Sequence, residues 1–261
     1  MKNNKIHFSQ HKEFLDEMVN RYNRSDFISP DPISIPHQYS KKEDIEISGF
    51  LTAVIAWGQR PVILKNANRL MDLMEQEPHN FLIGASQKEF KRFDNFVHRT
   101  FNGIDCRFFL ASLKNLYLDQ GGLENVFNES LKNSNNQMGE AIHKVRTIFF
   151  GINAPGWCSK HFADPLANSA AKRINMFLRW MVRKDKQKVD FGIWKKISPS
   201  LLYCPLDVHS GRVARELGLL SRNQDDWKAV EELTANLRIL DANDPVKYDF
   251  ALFGAGVEGE L

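Results

Sequence analysis

Apolar residues recur along this chain at steps of three and four. A first stripe runs through Phe14, Leu15, Met18, Val19 and Tyr22, with Ser9 placed to cap the helix it predicts. Pro30, Pro32 and Pro36 then make the stretch from Ser25 to Tyr39 an extended connector. Ser40-Lys41-Lys42-Glu43 reads as a capping box opening the next helix. That helix is almost wholly apolar from Phe50 to Trp57, as expected of one buried on most sides. It ends at Gly58-Gln59-Arg60-Pro61, and a further helix starts at Pro61 and runs through Leu64, Leu70, Leu73 and Met74. More helical groups follow up to Phe150: Phe90, Phe93, Phe96 and Val97, then Phe108, Phe109, Leu113, Leu116 and Tyr117, then Ile142, Val145, Ile148 and Phe149. Their aromatics fit a core better than a binding surface.

After a loop from Gly151 to Pro165, a second kind of helix appears between Ser169 and Arg183. Ile174, Phe177, Leu178, Met181 and Val182 share one face. Lys172, Asn175, Arg179, Arg183 and Lys186 fall at steps of three and four on another. No acid interrupts the run from Ser169 to Lys184. A cationic stripe of this kind suits a phosphate backbone, although a plain solvated face has the same spacing. Asp225 or Asp226 caps a helix through Trp227, Val230, Leu233, Leu237 and Leu240. Asp244-Pro245 opens the last helix, through Tyr248, Phe250, Leu252 and Phe253. No long run alternates with period two, and no internal repeat is present. The pattern predicts an all-α protein with one lobe over residues 40–184 and a second made of 1–39 plus 185–261.

The stretch from Leu206 to Leu219 combines several signals. Asp207 stands where it can cap a helix, and Gly218, between two leucines, reads as the left-handed residue that closes it. A carboxylate at that position feels the positive end of the helix dipole and stays ionised. On its own this is a structural cap, and Lys172 on its own is a surface lysine.

Composition narrows the picture modestly. The 261 residues can bury a substantial core, and 43% hydrophobic with 26% charged residues is ordinary for a globular protein. A formal net charge of +3 permits an anionic partner without demanding one. No signal peptide and no membrane-length apolar run is apparent, so a cytoplasmic location is expected. Cys106, Cys158 and Cys204 are too widely spaced for a disulfide framework or a zinc site with paired ligands.

Lys172 on a basic helix, Asp207 at the head of another and Gln59 in a tight turn, in this order, resemble the helix-hairpin-helix DNA glycosylases, the superfamily of endonuclease III and the 8-oxoguanine glycosylases. Leu206-Asp207-Val208-His209 with Arg212-Val213 is similar to the segment around that superfamily's catalytic aspartate. Ala171-Lys172-Arg173-Ile174-Asn175 is similar to the start of the helix bearing the nucleophilic lysine. Phe50 to Leu70 resembles the early helix pair whose glutamine fills the gap left by a flipped base, and Val246 to Gly256 the late helix. The chain is also similar, over nearly its whole length, to a bacterial family of unknown function sharing the KRxNMFLRWMVR and PLDVHSGRVAR patterns. Two departures stand out. The hairpin glycines are replaced by Leu166-Ala167-Asn168-Ser169-Ala170-Ala171, and 35 positions separate Lys172 from Asp207. With no cysteine after Cys204, the four-cysteine iron–sulfur cluster of endonuclease III is not expected, nor is any other cofactor.

The resemblance implies a two-lobed, helix-hairpin-helix glycosylase-like fold with duplex DNA in the cleft, and a monomer. It also implies base excision, by a flipped nucleotide, attack of Lys172 on the sugar C1′ and stabilisation of the developing cation by Asp207. Attack as a neutral amine requires a lowered lysine pKa, from desolvation or from neighbouring cations such as Arg173. Arg173, Arg179, Arg183 and Arg212 are expected on phosphates, with Gln59 and Arg60 near the vacated stack; His209 is a further candidate DNA contact. Two rivals remain. A non-catalytic nucleic-acid binder keeps binding without Lys172 and Asp207, and a small-molecule hydrolase shows little salt dependence.

Overall fold

A computed structural model of the chain describes residues 11–152 and 155–259. The expected cap at Ser9 lies outside the described residues. The architecture is helical. It runs through α1 (Lys12–Tyr22), α2 (Lys42–Ile55), α3 (Arg60–Leu73), α4 (Pro78–Gly84) and α5 (Gln87–Phe90) to a small antiparallel hairpin, β1 (Val97–His98) with β2 (Phe101–Asn102). It continues with α6 (Gly103–Asp119), α7 (Gly122–Lys132), α8 (Met138–Phe149), α9 (Lys172–Val182), α10 (Val208–Glu216), α11 (Trp227–Leu240) and α12 (Tyr248–Glu258). Among the described residues no helix is long and apolar enough to cross a membrane.

Packing divides the chain into two compact units. One is Ile28–Ala163; the other joins the chain up to Phe27 with Asp164–Leu261. The division falls at 163/164 rather than after Lys184, so α9 packs with the C-terminal helices. Lys172 and Asp207 therefore belong to the same unit.

In the Ile28–Ala163 unit the phenylalanines form the core. Phe149 meets Phe109 at 4.9 Å, Phe162 at 5.5 Å and Phe50 at 5.6 Å between ring centroids. These tilted and edge-on rings combine large apolar burial with favourable quadrupole geometry. Helix α2 is buried along nearly its whole length, as its apolar run requires. Its start differs from expectation. The cap position is Lys41, with no side-chain cap bond, so Ser40 makes no capping box.

The other unit is organised by α12. Its Gly254 lies against the ring of Tyr22 on α1; a methyl group there would sit 2.3 Å from ring carbons. At Gly256 an added methyl would sit 2.9 Å from the His209 carbonyl oxygen on α10. The two glycines thus let α12 touch α1 with one face and α10 with the nearly opposite one. Gly254→Ala is expected to cost about 1–3 kcal/mol, the usual range for overpacking. A urea midpoint unchanged by the substitution would contradict the close approach.

Candidate active site

Asp207 is extended (φ −136°, ψ −174°) immediately before α10, and its Oδ1 accepts from the amides of His209 (2.9 Å) and Ser210 (3.0 Å). Ser210 Oγ accepts in return from the Asp207 amide at 2.9 Å. This reciprocal cap fixes the carboxylate's plane and satisfies the first-turn donors. At its other end α10 closes on Gly218, left-handed at φ +65°, with Leu219 N–H donating to the Ala214 carbonyl and Gly218 N–H to Arg215. That is a Schellman closure, as the flanking leucines indicate.

The second carboxylate oxygen is not used by the cap. Asp207 Oδ2 lies 2.8 Å from Lys172 Nζ, with the two side chains 20% and 34% exposed. Lys172 is the first residue of α9, so the heads of two helices meet at this pair. The ammonium also lies 5.6 Å from the centroid of the half-buried Phe253 ring, and His209 meets that ring edge-on at 6.4 Å. Burial alone would push the Asp207 carboxyl up. The charge and hydrogen bond of Lys172 and the Ser210 amide and hydroxyl outweigh it and hold the group below the usual range.

The turn before α9 has no glycine, yet it takes glycine-like backbone conformations. Asn168 (φ +62°) and the buried Ala171 (φ +46°) are both left-handed. Contacts from a distant segment hold the loop at Asn168 and Ser169. Asn168 Nδ2 donates to Asp226 at 3.0 Å, Ser169 bridges to Asp226, and Trp227 N–H donates to the Asn168 carbonyl. An alanine in this region is strained, and such strain collects at sites where a fixed backbone shape matters. No side chain caps the first turn of α9, and no acid lies in it. Two cations, Lys172 and Arg173, instead stand at the positive end of the helix dipole, opposite to the ordinary preference. Burial lowers the Arg173 guanidinium to about 10.

The expected cationic face does not extend along α9. Arg179 and Arg183 are only 4% and 3% exposed. Arg179 is bound by Asp190 (3.2 Å) and Asp249 and lies over the Phe250 ring at 4.2 Å. Arg183 is bound by Asp185 (2.6 Å), Asp190 (3.1 Å) and Asp244 (2.9 Å). Both hold α9 to its neighbours, and the expectation that they grip phosphate is corrected here. Asn175, also buried, donates to the Ala170 carbonyl. Arg212 is exposed on α10, paired with Glu216 at 3.2 Å and donating to the Gly256 carbonyl at 3.1 Å. His209 is likewise exposed. Gln59 and Arg60 belong to the other unit, where Gln59 is exposed at the head of α3.

Sequence reasoning missed Phe253 and Asp249, which lie one turn apart on α12. Asp249 is buried, and burial raises its carboxyl to about 6 even though Arg179 and Lys172 act the other way. The i, i+4 spacing of an acid and an aromatic on an otherwise apolar helix was the available signal. Among the described residues no group of three His, Cys, Asp or Glu side chains could hold a metal ion.

A family model described as "Protein of unknown function (DUF2400)" matches residues 31–258, and the chain belongs to that family. No curated protein and no solved structure matches the chain.

Proposed function

We propose that this chain is a DNA base-excision glycosylase with Schiff-base lyase activity, built on a helix-hairpin-helix type of fold. The observation that carries the reading is the Lys172–Asp207 pair. An amine and a carboxylate 2.8 Å apart, each at the head of a helix and each partly open to solvent, supply a nucleophile and an anion at one point.

In the proposed reaction the target nucleotide leaves the duplex stack. Lys172, as its free amine, attacks the sugar C1′. The C1′–base bond breaks, and the departing base takes up a proton. Asp207, fixed by its cap, faces the positive charge that develops on the sugar. Collapse of the aminal opens the sugar ring and gives the Schiff base. Phe253 offers an aromatic wall beside the amine. Arg173, His209, Arg212 and the uncapped first turn of α9 offer donors for the flanking phosphates.

A second reading is a nucleic-acid-binding protein without this chemistry. One observation favours it: Asp207 spends one oxygen on the helix cap and the other on Lys172, which is also the geometry of a closed structural pair. Borohydride trapping separates the two. The protein is incubated with duplexes carrying 8-oxoguanine, uracil, an oxidised pyrimidine or an abasic site, and reduced. A covalent protein–DNA adduct on at least one duplex is expected. Absence of both adduct and base release on all four favours the second reading.

A further inference from the structure

The Ile28–Ala163 unit carries a charged face that the proposed reaction does not use. Some cations of this unit are paired locally: Arg92 with Glu75 at 2.7 Å, Arg107 with Asp94 at 3.0 Å and Lys132 with Glu129 at 2.8 Å. Lys65, Arg69 and Arg99 are exposed too, and among the described residues none has a carboxylate within 4.0 Å. Lys65 and Arg69 are four residues apart on α3 and share a face. Arg69 donates to the Asn95 carbonyl and lies over the Phe96 ring, which fixes its guanidinium while leaving its charge uncompensated.

Arg99 is held more firmly still. It is left-handed (φ +55°) at the tip of the β1–β2 hairpin, and its guanidinium lies 4.7 Å from the Trp57 ring centroid. It packs on Gly58 (φ +106°), where an added methyl group would sit 3.0 Å from its Nη1. Beneath it the buried His98 ties the two loops together. Its Nε2 lies 3.1 Å from the Trp57 carbonyl, which can only accept, so Nε2 carries the proton and Nδ1 accepts from Asn66 Nδ2 at 3.0 Å. The Gln59 turn, the hairpin tip and the outer face of α3 thus form one prearranged surface. Val62 and Val97 are its exposed apolar side chains.

We infer that this face binds the phosphate backbone of nucleic acid, with Lys65, Arg69 and Arg99 supplying the charge and His98 holding the hairpin against the Gln59 turn. Uncompensated cations, two of them fixed by ring contacts, beside amide side chains suit a row of phosphates. A membrane surface would call for aromatic side chains free to insert, and here Arg99 covers the nearest indole. The inference rests on the nucleic-acid part of the proposed function and not on the chemistry at Lys172.

The test is fluorescence anisotropy of the full chain with a labelled, lesion-free duplex at about 50–200 mM potassium chloride. For Lys65→Gln/Arg69→Gln/Arg99→Gln, the slope of log affinity against log salt is expected to fall by about 2–3, at about 0.9 per phosphate contact. The charge-keeping variant Lys65→Arg/Arg69→Lys/Arg99→Lys is expected to restore the slope. An unchanged slope in the glutamine variant overturns the inference, as does a loss the charge-keeping variant fails to restore. Tighter, equally residue-dependent binding to phosphatidylserine vesicles overturns it in favour of a membrane. The excision reading is scored separately by the borohydride adduct. A fallen slope in a protein that forms no adduct supports this surface and removes the chemistry; an unchanged slope in one that forms it removes this surface alone.

Discussion

Lys172→Ala is expected to abolish the borohydride-trapped adduct and to lower base release by roughly 10³-fold or more, the scale on which loss of a nucleophile is felt. The substitution removes the primary amine at the meeting point of α9 and α10, the group proposed to form the carbon–nitrogen bond to the sugar. It leaves Asp207 its cap bonds to His209 and Ser210, so the fold is expected to persist, which far-ultraviolet circular dichroism checks. Loss of the ion pair itself matters little to stability, because both side chains are partly solvated. Lys172→Gln keeps much of the length and is expected to be equally inactive. An adduct that persists in both variants shows that another amine is the nucleophile.

Asp207→Asn is expected to reduce base release by about 10²–10³-fold, as for removal of a preorganised electrostatic group. This substitution is the sharper probe because asparagine caps helices about as well as aspartate. The head of α10 stays formed, and only the charge is lost. Asp207→Ala is expected to add a stability loss of about 1 kcal/mol from the missing cap. An active Asp207→Asn protein would confine this residue to its structural role. Acid supplies an independent reading. The folded carboxyl lies below the ordinary aspartate value of 3.8, so the folded state binds fewer protons there than the unfolded chain. The stabilisation this gives is complete above that value and is lost as pH falls through the folded pKa. Urea melts at descending pH are therefore expected to show the stability gap between wild type and Asp207→Asn closing below about pH 4.

Much of the helical framework was legible because helix formation is a local matter. The apolar periodicity located α2, α9, α11 and α12, and Asp207, Asp226 and Gly218 marked helix ends through interactions spanning a few residues. The pairing of Lys172 with Asp207 came from resemblance rather than pattern, since nothing in the spacing brings two positions 35 apart together. Arg179 and Arg183 were misread for a physical reason. Within the window from Ser169 to Lys184 there is no acid, but Asp244 and Asp249 arrive from 61 and 70 residues further on. Asp185 and Asp190 stand just past that window and bind the same guanidiniums, so a count that stops at Lys184 misses both the near and the distant partners. The start of α2 lies one residue later than expected, with Lys41 and not Ser40 at the cap position.

The left-handed pair Asn168 and Ala171 carries a wider consequence. Glycine is the least costly residue for a turn that must bring its amides close to a ligand, but it is not the turn itself. Here the left-handed Asn168 and its neighbour Ser169 are strapped by Asp226 and Trp227, in a segment more than fifty positions downstream. A loop without glycine can therefore hold left-handed residues when a distant segment supports it. A turn's handedness is then written in the backbone angles and in residues far along the chain, not in the loop's own composition.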